Sequence, residues 1–480
     1  MSSRFSQGEL RCASEIHADS RGQAKGLGSA CTLNRRERSL NPISLGLKAV
    51  LSLCSDMQCR SFSESTGILR QILGYGGIEG VAKAFNILLS LTLAAVLSVS
   101  DYGLIAILIT FELVAAEVIL LGQSTFILRF SRISELVRFE KNYAASRHIV
   151  LASTVIILII VALLPAQIFP VQHSAEMRAS LLALILGIGL QAHVTIYLMY
   201  LRSVERIKHY GFLRVGGQGL KFLISFSFVL FFRNPFLYPL GILFSALIIS
   251  LSILCWQTES WKPPRLAHAQ IEYSAIAENL KFGFPIAVHS FAGVFYAILD
   301  RIFLARIADM RTVAVYNFAL TQGTAIFFLM NILAIALIPK FYQTDSYSES
   351  SRRYLNFFLL SSISGTALLS VIVYYVVFPI SLRFVPDEYR VGQNILPLLA
   401  AGMIGQCASN YAVYKLTALK AVNLLPFFTL LSLGANAFLN FLLIPKFGIN
   451  GAACALLFGE ISYAIMLNLH AIRCQRSSGG

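Results

Sequence analysis

The sequence predicts an all-α polytopic membrane protein with twelve transmembrane helices, arranged as two six-helix pseudo-repeats around a central cavity. Composition is the first reason: 56% of the 480 residues are hydrophobic and 13% are charged, whereas about a quarter of the residues of a soluble protein are charged. The second reason is the length of the apolar runs, because a helix needs about 20 apolar residues to cross a bilayer. Twelve runs reach about that length, and none alternates as the strands of a membrane barrel would.

The twelve runs divide into two sets of six. The longest polar connection, 257–281, contains Trp261-Lys262-Pro263-Pro264 and predicts a cytoplasmic linker between lobes at 67–256 and 282–480. Weak similarity between Asp101–Ala106 and Val313–Ala319 supports an internal repeat, and transporters commonly place the substrate path between two such halves. The predicted spans are 72–98, 102–128, 148–167, 179–201, 210–232, 236–256, 282–305, 312–338, 354–378, 393–415, 421–444 and 450–472.

The N-terminal segment differs from the rest of the chain. Residues 1–66 are polar and rich in Ser and Arg, so we expect a disordered tail, and Met57 is an alternative start that would remove most of it. In the remaining chain, Lys and Arg concentrate in alternate connections, such as the one with Arg202, Arg206 and Lys208. Cytoplasmic connections carry this excess, so the sequence predicts that both termini are cytoplasmic.

Charged residues inside the apolar runs form stripes at helical spacing. Such residues are costly in a membrane and usually face a cavity or a partner. One interpretation is that they only hold the bundle together, with Glu79 and Lys83 pairing with each other. Three stripes in helices of both halves favour a hydrated central cavity instead. The stripes are Glu79, Lys83, Asn86 and Ser90; Arg214, Gln218, Lys221 and Ser225; and His289, Gly293, Tyr296 and Asp300.

The depth of each cation in its helix suggests a role. Lys83 and Lys221 lie about 11 residues, or roughly 16 Å, from the predicted cytoplasmic ends of their helices, so we expect both to bind one anionic ligand near the midplane. Arg214 lies closer to the cytoplasmic end of its helix, so we expect it at the entrance of the cavity. Arg301, beside Asp300 and near the outer end of its helix, is expected at the exit or in a gate. Gln218 and Asn317 are expected in polar walls of the cavity. Four carboxyl groups could couple transport to protons or sodium, or could simply be protonated and hydrogen-bonded to neighbours: Glu112, Glu117, Asp300 and Glu460.

Other functional classes lack support in the sequence. The net charge of +15 is dispersed over short connections, so no nucleic-acid partner is expected. The eight cysteines form no C-x-x-C pair and the histidines have no metal-ligand spacing, so we expect no metal site, no disulfide framework and no cofactor. The longest predicted outer loop is 379–392, which is too short for the external domain of a membrane glycosyl polymerase, and we therefore do not expect an enzyme.

Several segments resemble the Wzx-type polysaccharide repeat-unit flippases of the multidrug/oligosaccharidyl-lipid/polysaccharide exporter superfamily. The most specific of them is Leu439–Ala453, LNFLLIPKFGINGAA, across the last two predicted spans. The resemblance covers about residues 70–472 in order, and residues 1–66 depart from it. The other segments are Ser100-Asp101-Tyr102-Gly103, Phe282-Gly283-Phe284-Pro285, Leu299-Asp300-Arg301-Ile302-Phe303-Leu304 and Val315-Tyr316.

This resemblance implies a V-shaped bundle in a bacterial inner membrane that flips undecaprenyl-diphosphate-linked oligosaccharide repeat units from the cytoplasmic to the periplasmic leaflet by alternating access. The product would serve the biosynthesis of surface polysaccharide such as lipopolysaccharide or exopolysaccharide, with a polymerase and a chain-length regulator as partners. Two alternatives stay open. A multidrug or cation extruder of the same superfamily would have an acidic cavity, and a membrane-embedded glycosyltransferase or polymerase would consume a lipid-linked sugar.

Overall fold

The computed structural model describes residues 62–130, 136–163, 174–255, 272–326, 330–334, 349–419, 421 and 424–478. Within these ranges every long regular element is a helix and no strand occurs, which confirms the all-α prediction. The contacts divide the chain into a segment that ends at Ser65 and a larger unit that begins at Thr66. Most of the predicted tail, residues 1–61, lies outside the described residues. Residues 62–66, the last five of the predicted disordered tail, are described and form the start of a helix, contrary to the prediction.

In the first half of the chain, here the N-terminal lobe, the described residues form seven α-helices. Helix α3 continues α2 after a break at Leu121 and Gly122, which have φ angles of 44° and 73°. The helix α5 is the most enclosed of the membrane-spanning candidates, with 61% of its most apolar stretch buried. The bounds are α1 Phe62–Val96, α2 Val99–Leu120, α3 Gln123–Phe130, α4 Leu136–Leu163, α5 Ser174–Ser203, α6 Ile207–Phe232 and α7 Tyr238–Cys255.

In the second half, the C-terminal lobe, the described residues include five long helices. A π-helical turn, Val373–Val377, and a short helix, Phe378–Ser381, extend α10, and a 3₁₀ segment, Asp387–Ile395, leads into α11. The helix α12 bends at Gly448, whose φ is 54°, so the two last predicted spans are the two arms of one bent element. The bounds are α8 Tyr273–Ile307, α9 Met310–Gly323, α10 Glu349–Ile372, α11 Leu396–Ala418 and α12 Leu425–Ser478.

The helices have the length and polarity of membrane spans. In the described residues eight helices are long and apolar enough to cross a membrane, and a bent pair, Tyr273–Tyr296 with Ile298–Ile307, brings the number to nine. The chain is therefore a multi-pass membrane protein. Each of the twelve predicted runs coincides at least in part with helix, but the count of twelve crossings stays a prediction.

The predicted inter-lobe linker is shorter than expected. Helix α8 begins at Tyr273, inside the segment 257–281 that the sequence assigned to the linker, and residues 256–271 lie outside the described residues. The early start has a packing reason, because the amide of Asn279 on the first turns of α8 donates hydrogen bonds to the carbonyl of Asn142 at 2.8 Å and to the hydroxyl of Ser146 at 2.9 Å. The side-chain N–H donors of Asn279 near the start of α8 are thus paired with groups of α4.

The two lobes touch closely at the end of the bundle that carries the connection at Asp309, here called the Asp309 end. Side chains cap the helices that begin there: Ser98 accepts from the backbone N–H of Asp101 at 3.2 Å, and Asp309 accepts from that of Thr312 at 2.7 Å. A Cβ atom on Gly103 would lie 2.1 Å from the carbonyl oxygen of Met310. Because only glycine permits this approach, α2 and α9 hold the lobes together at this end.

A cavity between the two lobes

A cavity of about 690 Å³ lies between the lobes. Its walls come from α1, α5 and α6 of the N-terminal lobe and from Thr324, Asn331, Ile332 and Ala334 of the C-terminal lobe. The polar stripe predicted on α1 contributes three of its four members. The lining residues are Glu79, Ala82, Lys83, Asn86, Thr195, Leu198, Met199, Arg202, Tyr210, Arg214, Thr324, Asn331, Ile332 and Ala334.

The one carboxylate among these lining residues is neutralised within the N-terminal lobe. Glu79 on α1 accepts two hydrogen bonds of 3.1 Å from Arg214 on α6, one from Nε to Oε1 and one from Nη2 to Oε2. The hydroxyl of Tyr210, one turn earlier on α6, donates to Oε1 at 2.5 Å. The alternative interpretation, in which Glu79 pairs with Lys83, is therefore wrong. A forked guanidinium satisfies both carboxylate oxygens, and only the neighbouring helix presents one.

Two cations remain on the cavity wall without a carboxylate partner. Lys83 makes no ion pair or side-chain hydrogen bond with another residue in the described ranges. The guanidinium of Arg202 has no ion pair there either, and it lies 6.0 Å from the ring centre of Tyr75. Arg202 was missed as a site residue because the fourth predicted span ended at residue 201, whereas α5 continues to Ser203. The described lining thus carries three cations and one anion.

Lys221 does not line this cavity. It lies beside a separate, small pocket of about 40 Å³ inside the N-terminal lobe, together with Gln218, and Arg214 lines both spaces. The ammonium group of Lys221 donates to Glu112 at 2.5 Å, and the hydroxyl of Tyr238 donates to the same carboxylate at 3.1 Å. Glu112 therefore has an ion-pair partner, and the structure does not bring Lys83 and Lys221 into one cavity.

A buried polar cluster occupies the contact between the lobes at the Asp309 end. The amide of Asn317 on α9 donates to the hydroxyl of Tyr102 on α2 at 3.3 Å, and this hydroxyl lies 2.6 Å from that of Ser90. The carboxylate of Asp300 accepts a hydrogen bond from the hydroxyl of Tyr316 and another from the backbone N–H of Arg301 at 2.8 Å. The structure thus places Asn317, Asp300 and Arg301 away from the cavity walls.

The remaining predicted site residues are dispersed. Glu460 is buried on the second arm of α12, and Glu117 is half-buried on α2; neither carboxylate makes a hydrogen bond with another described residue. On α8, Tyr296 donates to the carbonyl of Leu456 at 3.3 Å, so the third stripe points into the C-terminal lobe as far as it is described; the side chain of His289 lies outside the described residues. In the described ranges no three His, Cys, Asp or Glu side chains could hold a metal ion together.

Solved structures of transporters share this fold. An inward-facing multidrug resistance MATE family transporter of the MOP superfamily superposes with a TM-score of 0.68 at 12% identity, covering 83% of this chain and 96% of the transporter. An outward-facing form gives 0.63 at 14% identity, covering 85% and 95%. The lipid II flippase MurJ in an inward closed conformation gives 0.59 at 14% identity, covering 82% and 86%. At these identities the likeness shows the fold.

The family is shown by the sequence itself. A family model described as "Polysaccharide biosynthesis protein" matches residues 68–345, which is more than half of the chain. No curated protein matches. The matched structures are transporters and a flippase rather than enzymes, in agreement with the prediction from the sequence. The chain therefore belongs to the polysaccharide biosynthesis protein family and shares the fold of these solved transporter and flippase structures.

Proposed function

We propose that the protein flips oligosaccharide repeat units linked to undecaprenyl diphosphate from the cytoplasmic to the periplasmic leaflet of a bacterial inner membrane. The observation that carries this proposal is the excess of positive charge in the inter-lobe cavity, where Lys83, Arg202 and Arg214 face a single carboxylate, Glu79. Glu79 is already bound by Arg214. Lys83 and Arg202 are therefore available for an anionic head group.

The diphosphate fits this site for an electrostatic reason. A charge buried in a membrane protein needs a partner of opposite sign. Lys83 on α1 and Arg202 on α5 supply two positive charges, one for each phosphate of the diphosphate. The hydroxyl and amide groups of Thr195, Asn86 and Asn331 line the same cavity and provide hydrogen-bond partners for sugar hydroxyls. The prenyl chain stays in the lipid. A surface polysaccharide pathway supplies the repeat unit, and a polymerase with its chain-length regulator consumes it.

A cationic drug extruder is disfavoured by the same charges. A cationic substrate would have to displace or approach three cations, and the one carboxylate on the described wall is held by two hydrogen bonds from Arg214 and one from Tyr210.

The identity of the coupling ion is a separate question. Glu112, Glu117, Asp300 and Glu460 stay candidates for binding it, but the Glu112 carboxylate is already paired with Lys221 and that of Asp300 already accepts two hydrogen bonds.

The test replaces the two available cations. Lys83→Gln and Arg202→Gln, alone and together, should lower the amount of surface polysaccharide in a strain that depends on this chain, at equal abundance in the membrane. Lys83→Arg should restore part of it because the charge is kept. The matched control is Lys208→Gln, since Lys208 is exposed and lies outside the cavity wall. Polysaccharide at the wild-type level in the Lys83→Gln/Arg202→Gln double variant would refute the proposal.

A further inference from the structure

One buried cation at the Asp309 end, Arg301, has donor atoms without a hydrogen-bond partner among the described residues. Arg301 is 7% exposed. The donors without a partner there are the Nε and Nη1 atoms of its side chain. A guanidinium keeps its charge in proteins, and burying a charge without a partner is costly. The cost of burying this charge is therefore relieved in any state of the protein in which the Arg301 guanidinium contacts water or an anion.

The acceptors nearest to Arg301 in sequence and space are already engaged. The carboxylate of Asp300 is bound by the hydroxyl of Tyr316 and by the backbone N–H of Arg301, and no ion pair joins it to the guanidinium in the described ranges. The Tyr102 hydroxyl, close enough to interact electrostatically with Arg301, is held by Ser90 and Asn317. The Asp300 carboxylate is close enough to interact electrostatically with Arg301, but the Nε and Nη1 donors of Arg301 have no acceptor among the described residues.

The position of Arg301 connects it to the movement of the lobes. Tyr102 belongs to the N-terminal lobe and Asn317 to the C-terminal lobe, so the hydrogen bond between them closes the Asp309 end. The contact of Gly103 with the carbonyl of Met310 closes it further. A ligand that leaves the cavity through this end requires both contacts to break, and the same movement uncovers Arg301.

We propose that Arg301 is a second anion-binding residue, which receives the phosphate-bearing head group once the lobes have parted at the Asp309 end. The inference rests on the proposed function for the identity of the anion. Arg301 lies about 9 Å from the end of α8, whereas Lys83 lies about 20 Å from the corresponding end of α1, at 1.5 Å per residue. The head group would therefore move about 10 Å along the helix axes between the two sites. A guanidinium fork binds a phosphate through two parallel hydrogen bonds, and a ligand that binds only the parted state favours that state.

The first test measures translocation. The full chain is reconstituted in liposomes with a fluorescent NBD-labelled prenyl diphosphate, and its movement between leaflets is followed by dithionite quenching. We expect Arg301→Met to lower the rate at least tenfold, and Arg301→Lys to keep a substantial part of it. The matched control, Arg306→Met, removes an exposed arginine from the same helix and should leave the rate unchanged. A wild-type rate in Arg301→Met refutes the proposal. If the wild-type protein moves no probe, the proposed function itself fails.

The second test separates anion binding from a structural role. Thermal unfolding of the Asp300→Asn/Arg301→Met double variant is compared with that of Asp300→Asn alone, so that no buried carboxylate is left without its neighbouring charge. We expect the midpoint of the double variant to be higher, because the cation without a partner is gone. A lower midpoint would mean that Arg301 stabilises the closed Asp309 end, and the proposal would be wrong whatever the translocation rate.

Discussion

Replacing Lys221 separates a structural ion pair from a ligand site. In the structure, Lys221 is 7% exposed and donates to Glu112 at 2.5 Å, and Tyr238 donates to the other carboxylate oxygen at 3.1 Å. Lys221→Met leaves Glu112, whose side chain is 16% exposed, with only the tyrosine as its partner. Removing one member of a buried ion pair costs about 3–5 kcal/mol, so we expect a loss of roughly 3 kcal/mol in the free energy of unfolding.

The measurement is a double-mutant cycle on purified protein, with unfolding followed in mixed detergent micelles. Glu112→Gln added to Lys221→Met should restore much of the lost stability, because no charge is then left alone, and the cycle should give a coupling energy of about 1–3 kcal/mol. Lys83→Met is the matched control, since Lys83 has no ion pair in the described residues, and it should change stability by less than about 1 kcal/mol. Equal stability losses for Lys221→Met and Lys83→Met, or additive effects of Lys221→Met and Glu112→Gln, would refute this reasoning.

Three further predictions concern the Asp309 end and the topology. Gly103→Ala places a Cβ atom 2.1 Å from the carbonyl oxygen of Met310 and should lower the free energy of unfolding by about 1–3 kcal/mol, measured in the same micelles; an unchanged stability would show that α2 and α9 are not in this contact. Asp309→Ala removes a helix cap and should cost about 1 kcal/mol. Hydrogen bonds from Thr312 lower the pKa of Asp309, so the difference from wild type should be full at neutral pH and shrink only when the pH falls below about 4, the ordinary pKa of Asp; a difference that already shrinks near pH 6 would contradict this. Cysteine labelling should reach the periplasmic side at Asp309 and Asp387 and the cytoplasmic side at Arg138, Ala267 and Ser348, and a periplasmic signal at Ala267 would overturn the two-lobe topology.

The polar stripes show how far periodicity leads. Residues spaced at i, i+4 and i+7 share one face of a helix, so the sequence correctly placed Glu79, Lys83 and Asn86 on one wall. Periodicity does not tell which neighbouring helix that wall faces. The pairing of Glu79 with Arg214, and not with Lys83, depends on the packing of α1 against α6.

Composition and periodicity determined that the chain is an all-α membrane protein with polar groups concentrated on a few helix faces, because the cost of charge in lipid leaves few other arrangements. The resemblance of its segments to flippases pointed to the right superfamily fold. Only the tertiary structure decided which cations are available. Arg202 joined the cavity because α5 extends past its apolar run, and Lys221 left it because α2 and α7 bring Glu112 and Tyr238 to it. Partner choice depends on contacts between residues far apart in the sequence, and the spacing along one helix contains no information about them.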